Sequence, residues 1–128
     1  MINFKDLDCL EEKKYNIWQE ADGTIISVGL PSQHDLIKIS KLQFIISNLE
    51  KDYEKLTKNK KMSEESFDNM ENLYNKLLSV FKEMFLFILN LNEAEREFTL
   101  DDIKKVPLEM MQNECKAYSS YIEEHLKN

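Results

Sequence analysis

The side chains that most often do chemistry are few in this sequence and lie far apart. The two histidines, His34 and His125, stand near opposite ends of the helical part of the chain, and neither belongs to a His-x-x-x-His or Glu-x-x-His arrangement that would put two ligands on one helix face. The pattern predicts no metal centre. His34 falls in a helix first turn, and His125 near a helix C-terminus, where the dipole favours its charged form. Cys9 and Cys115 have no histidine close by to activate a thiolate and no paired spacing for zinc. Both are expected as free thiols in a reducing compartment, with Cys115 in step with an apolar helical seam. Acids occur as neighbours, in Glu11-Glu12, Glu64-Glu65, Asp101-Asp102 and Glu123-Glu124. Adjacent residues on a helix point about 100° apart, so these pairs serve helix starts or solvated faces and do not converge on one reacting atom. There is no G-x-S-x-G, P-loop or dinucleotide fingerprint. These residues predict no enzyme and no cofactor.

Composition narrows the choice further. The chain has 128 residues but only 2 Gly and 2 Pro, where average usage would supply roughly 15 of the two together. Folds that need many tight turns or phosphate-cradling loops are poorly provided for. One domain with a substantial core suits this length. With 24 Asp and Glu against 17 Lys and Arg, the formal charge is −7, which argues against a nucleic-acid partner. The lysines of the 51–61 stretch, Lys51, Lys55, Lys58, Lys60 and Lys61, have only Tyr53 among them for stacking, and read as a solvated connection. Met1 to Lys14 is charged throughout, unlike a signal peptide. The longest apolar run, Met84 to Leu89, is 6 residues long, and roughly 18–20 are needed to span a bilayer. No membrane partner is expected.

The elements follow from spacing. Lys14 to Gln19 and Thr24 to Leu30 are rich in β-formers and flank Asp22-Gly23, a hairpin signal. Pro31 stops the second strand and Ser32 caps a helix. The apolar positions Ile39, Leu42, Ile46, Leu49, Tyr53 and Leu56 then step by 3 and 4, widened by Leu36, Phe44 and Ile45. After Ser63, a longer seam runs through Phe67, Met70, Tyr74, Leu77, Phe81, Met84, Ile88 and Leu91. Thr99 opens a short helix ending near Val106, and Pro107 starts a last one carrying Leu108, Met111, Cys115, Tyr118 and Ile122. The predicted fold is mainly α (α+β), a single domain over 1–128. A hairpin at 14–30 packs on a bundle of about four helices at 33–126, two of them long, behind a flexible lead-in at 1–13.

One surface stands out. If the seam through Ile88 faces inward, Phe85 and Phe87 flank it while Leu86 and Leu89 fall on the opposite side, so the last two turns of the second long helix are apolar all round. A helix end of this kind is buried on every side. Either the hairpin and last helix cover it, or part of it packs on a second copy or a partner helix. Phe85, Leu86, Phe87 and Leu89 are therefore the candidate partner-binding residues.

The order of segments resembles the small tail assembly chaperones encoded beside the major tail protein in long-tailed phages and prophages of low-GC Gram-positive bacteria. The likeness rests on a short hairpin running into Gly29-Leu30-Pro31-Ser32, on Phe87-Ile88-Leu89-Asn90-Leu91-Asn92, on Phe98-Thr99-Leu100-Asp101-Asp102-Ile103 and on Tyr118-Ser119-Ser120-Tyr121-Ile122. It covers most of residues 14 to 126. The resemblance implies a non-enzymatic helper in the bacterial host cytoplasm that binds the tape measure protein, keeps its apolar helices soluble, helps recruit tail tube subunits such as the major tail protein, and leaves before the virion matures. It also implies a longer form made by ribosomal frameshifting. The alternative is a small acidic regulator, an antitoxin or a phage-encoded inhibitor of a nucleic-acid-binding host protein, whose charge mimics phosphate. Salt separates the two, because apolar binding survives it and charge mimicry does not.

Overall fold

Strand β1 (Tyr15–Gln19) and strand β2 (Ile25–Val28) form an antiparallel hairpin, followed by helices α1 (Gln33–Thr57), α2 (Glu64–Leu89), α3 (Leu100–Ile103) and α4 (Leu108–Leu126). The computed structural model describes residues 14–58 and 62–126. It is mostly helical and has the α+β architecture that the spacing predicts. The expectations for 1–13, including Cys9, and for Lys60 and Lys61 lie outside the described residues.

Each boundary has a local cause. Gly23 turns the hairpin with φ at +93°, a conformation that costs glycine nothing, and the Asp22 carboxylate accepts from the Thr24 amide at 2.9 Å. The register slips at Ile17, a bulge between Asn16 and Trp18, so that Ile17 joins Ile26 and Val28 on the buried side. The Ser32 hydroxyl accepts the Asp35 amide at 3.1 Å and Ser63 that of Ser66 at 3.2 Å, each satisfying a helix-start donor. The short helix α3 ends at Ile103, before Val106, and Pro107 lends its carbonyl to the first bond of α4, from the Met111 amide at 3.2 Å.

Helix α2 is the centre. It packs on α1 along one flank and on α4 along the other. The predicted inner positions Ile39, Leu42 and Ile46 of α1, Leu77, Phe81, Met84 and Ile88 of α2, and Met111, Cys115, Tyr118 and Ile122 of α4 are all buried. Leu36, Ile45, Leu49, Tyr53, Leu56, Met70, Leu91 and Leu108 are half-buried, and three apolar residues from the predicted seams are exposed. Phe44 is 68% exposed on α1, and Phe67 and Tyr74 are 57% and 44% exposed on α2. Phe44 lies too far round α1 to reach the core. Phe67 fails for a different reason: α4 begins at Leu108 beside Tyr53, Tyr74 and Leu77, so the first ten residues of α2, roughly 15 Å, run past the end of their neighbour with only α1 alongside, while Tyr74 stands where α4 starts and is covered only in part.

The hairpin is held by α4. The Tyr118 hydroxyl donates to the Gly29 carbonyl at 2.8 Å and the Tyr15 hydroxyl donates to the Glu114 carboxylate. The rings of Tyr15, Tyr118 and Tyr121 lie 5.8 to 6.0 Å apart. Burial, joined for Tyr15 by the Glu114 bond, pushes both hydroxyls far above the ordinary phenol value, so each remains a donor at any physiological pH.

Candidate functional site: a groove with an apolar floor and a lysine rim

The structure divides the four candidate residues. Phe85 and Leu89 are 2% and 0% exposed and belong to the core. The bulged strand sets Trp18 against Phe85, with centroids 6.3 Å apart, and Phe98 closes edge-on over Trp18 at 5.4 Å. The expectation that Leu89 faces away from the core is thereby corrected, since the hairpin and the segment after α2 enclose that side too. Leu86 and Phe87 are half-buried. They line a groove of about 490 Å³ with Lys38 of α1, Ser79, Lys82 and Glu83 of α2, Asn90, and Leu100 of α3.

Two devices build this groove. On α2, Ser79, Lys82, Glu83, Leu86, Phe87 and Asn90 recur at helical spacing and so share one side. The third wall needs the chain to return, and Asn90 makes it do so. Its amide donates to the Phe98 carbonyl at 3.1 Å while its side-chain oxygen accepts the Phe98 amide at 2.7 Å. Leu100, two residues on, is held at the groove with 60% of its surface exposed. Lys38 reaches over the Phe87 ring, its Nζ 4.9 Å from the centroid, a cation–π contact that fixes a positive charge above an apolar floor.

Beyond the groove, Arg96 ties the segment after α2 to both neighbours. It donates to Glu20 at 2.9 Å and to Asp102 at 3.5 Å, and stacks 4.3 Å over Phe98. The Thr99 amide, chiefly, and Arg96 hold the Asp102 carboxyl below the usual carboxylate range. These are the contacts of a braced loop. Leu100, Lys38 and Lys82 were not identified from spacing. An isolated leucine at a helix start among acids was the available signal for the first.

The remaining candidates stay apart. His125 sits at the end of α4 with Nδ1 2.8 Å from the Tyr121 carbonyl and its ring 4.4 Å from the Tyr121 ring, and His34 lies exposed in the first turn of α1. Among the described residues no group of three or more His, Cys, Asp or Glu is placed to hold a metal ion, and no helix is long and apolar enough to cross a membrane. Cys115 is 3% exposed, and burial, helped by the Glu114 charge, pushes its thiol up to about 12. The reactive thiolate is therefore scarce, and the seam around the sulfur keeps a reagent from reaching it. In a Cys9→Ser background, Cys115 should therefore resist a thiol reagent such as DTNB in the native state and react at once in denaturant. Fast native labelling would show that the α4 seam opens.

No family model, curated protein or solved structure matches this chain.

Proposed function

We propose that this chain is a non-enzymatic binding protein that holds an apolar helical segment of another protein, and specifically that it is a tail assembly chaperone of a long-tailed phage or prophage. Its partner is the tape measure protein. It acts in the host cytoplasm, supports the joining of tail tube subunits, and leaves before the particle is complete. The observation that carries this reading is the groove: Leu86, Phe87 and Leu100 present apolar surface at an opening between α1, α2 and α3, the kind of cleft into which an amphipathic helix lays its apolar face.

Co-expression with the tape measure gene that neighbours it tests the proposal. The tape measure protein is expected to become soluble, to co-purify, and to stay bound in high salt because the contact is mainly apolar. Leu86→Ser/Phe87→Ser should cut the recovered partner to about a tenth, the loss of roughly 1.4 kcal/mol or more of apolar contact. Absence of any rescue sinks the chaperone reading. A partner released steeply by salt favours the small acidic regulator instead.

A further inference from the structure

The outer side of α1 carries a second regular pattern. Ile37, Lys41, Phe44, Asn48, Lys51 and Lys55 recur at intervals of 4, 3, 4, 3 and 4, the spacing of a face that meets another helix. Ile37 immediately precedes Lys38 of the groove and so points about 100° away from it. Its two apolar members, Ile37 and Phe44, are each 68% exposed and stand two turns apart. Lys41, Lys51 and Lys55 are exposed as well, and none of the three forms an ion pair with another described residue. Two acids border the stripe, one at each edge. Glu54 is bound by Lys58 at 2.9 Å, and Asp52 lines the α1–α2 seam with Lys55, Asn69 and Asn72. A chain of net charge −7 thus keeps one helix face that is apolar and carries more lysine than acid.

The charge selects the occupant. Two copies of this face would set lysine against lysine, which is unfavourable. A helix whose apolar stripe is flanked by Asp and Glu would pair those lysines, and repulsion from the acidic remainder of the surface would confine its approach to this side. We propose that the outer face of α1 docks an acidic amphipathic helix of another protein, with Ile37 and Phe44 packing into its apolar stripe and Lys41, Lys51 and Lys55 meeting its carboxylates. This surface is separate from the groove and does not depend on what the groove holds.

The test is fluorescence anisotropy with a synthetic helix-forming peptide about three heptads long, leucine at the a and d positions and glutamate on the flanks, against the same peptide with lysine on the flanks. The full chain and its Leu86→Ser/Phe87→Ser variant are expected to bind the glutamate peptide equally. Lys41→Glu/Lys51→Glu/Lys55→Glu and Ile37→Ser/Phe44→Ser should each weaken it by about tenfold or more, with circular dichroism confirming that both stay folded. Equal binding of the lysine-flanked peptide, or unchanged binding by either α1 variant, overturns the proposal. So does a wild-type dimer in analytical ultracentrifugation that Ile37→Ser/Phe44→Ser dissolves, for then a second copy is the occupant.

Discussion

Phe85→Ala will cost the fold about 3–5 kcal/mol and Leu89→Ala about 2–5 kcal/mol, while the adjacent pair Leu86→Ser/Phe87→Ser will cost less than half as much per site. The difference lies in surroundings. Phe85 and Leu89 are 2% and 0% exposed, and Phe85 lies against Trp18, which in turn lies against Phe98. Truncating either removes its transfer free energy and leaves a cavity that the hairpin and the segment after α2 cannot both close. Leu86 and Phe87 already face the groove, so shortening them removes only part of a burial term and leaves no void. Urea unfolding monitored by circular dichroism measures this directly. A domain of this kind has about 5–15 kcal/mol in total, so Phe85→Ala should remove from about a fifth of the stability to nearly all of it. A Phe85→Ala protein within 1 kcal/mol of wild type would mean that the α2 end is not enclosed as described.

Asn92→Ala will destabilise the protein by about 2–4 kcal/mol, an unusually large loss for a polar residue outside a helix or strand. Its amide donates to the Leu89 and Arg96 carbonyls, both at 2.7 Å, and its side-chain oxygen accepts the Arg96 amide at 3.1 Å. Three backbone groups are satisfied by one side chain, and partly buried groups stranded without partners cost about 1–3 kcal/mol each before water relieves them. These bonds close the turn that holds Glu95 at φ +57°, a left-handed conformation an ordinary residue adopts only when its surroundings enforce it. The Asn92 backbone also bridges to Val28, so the loss reaches the hairpin. Asn92→Asp should be at least as damaging, because it keeps an acceptor for Arg96 but turns a carboxylate toward two carbonyls. Chemical denaturation ranks the variants, and hydrogen exchange at the Arg96 amide should quicken in both. An Asn92→Asp protein as stable as wild type would contradict this account of the turn.

The helices and the hairpin were legible because each rests on local chemistry. Asp22-Gly23 can reverse a chain, Ser32 and Ser63 can cap one, and steps of 3 and 4 define a face whatever lies opposite. What periodicity does not carry is the length of the neighbour. Phe67 shares the seam of Leu77 and Phe81, yet α4 starts too late to cover it, and nothing in the spacing of α2 reports where another helix begins. The candidate site was half legible for a related reason. An end that is apolar all round says that two sides are covered, without saying by what, and the cover over Phe85 comes from Trp18, itself closed by Phe98, residues placed by a bulge and by side-chain clamps on backbone. Asn90 and Asn92 could be seen as residues suited to loops, but their capture of Phe98 and Arg96 depends on where the chain turns back.

The tyrosine contacts between the hairpin and α4 set an order of events. Tyr15 reaches Glu114 across 99 positions of sequence and Tyr118 reaches Gly29 across 89. On a ribosome the strands emerge first, and two strands alone are marginal in water; α1 and α2 can zip together next through near neighbours. These two bonds must then wait until α4 has been made. Synthesis and closure thus run in opposite order, for the strands, made before the helices, are locked in place by α4, which is made after α1 and α2.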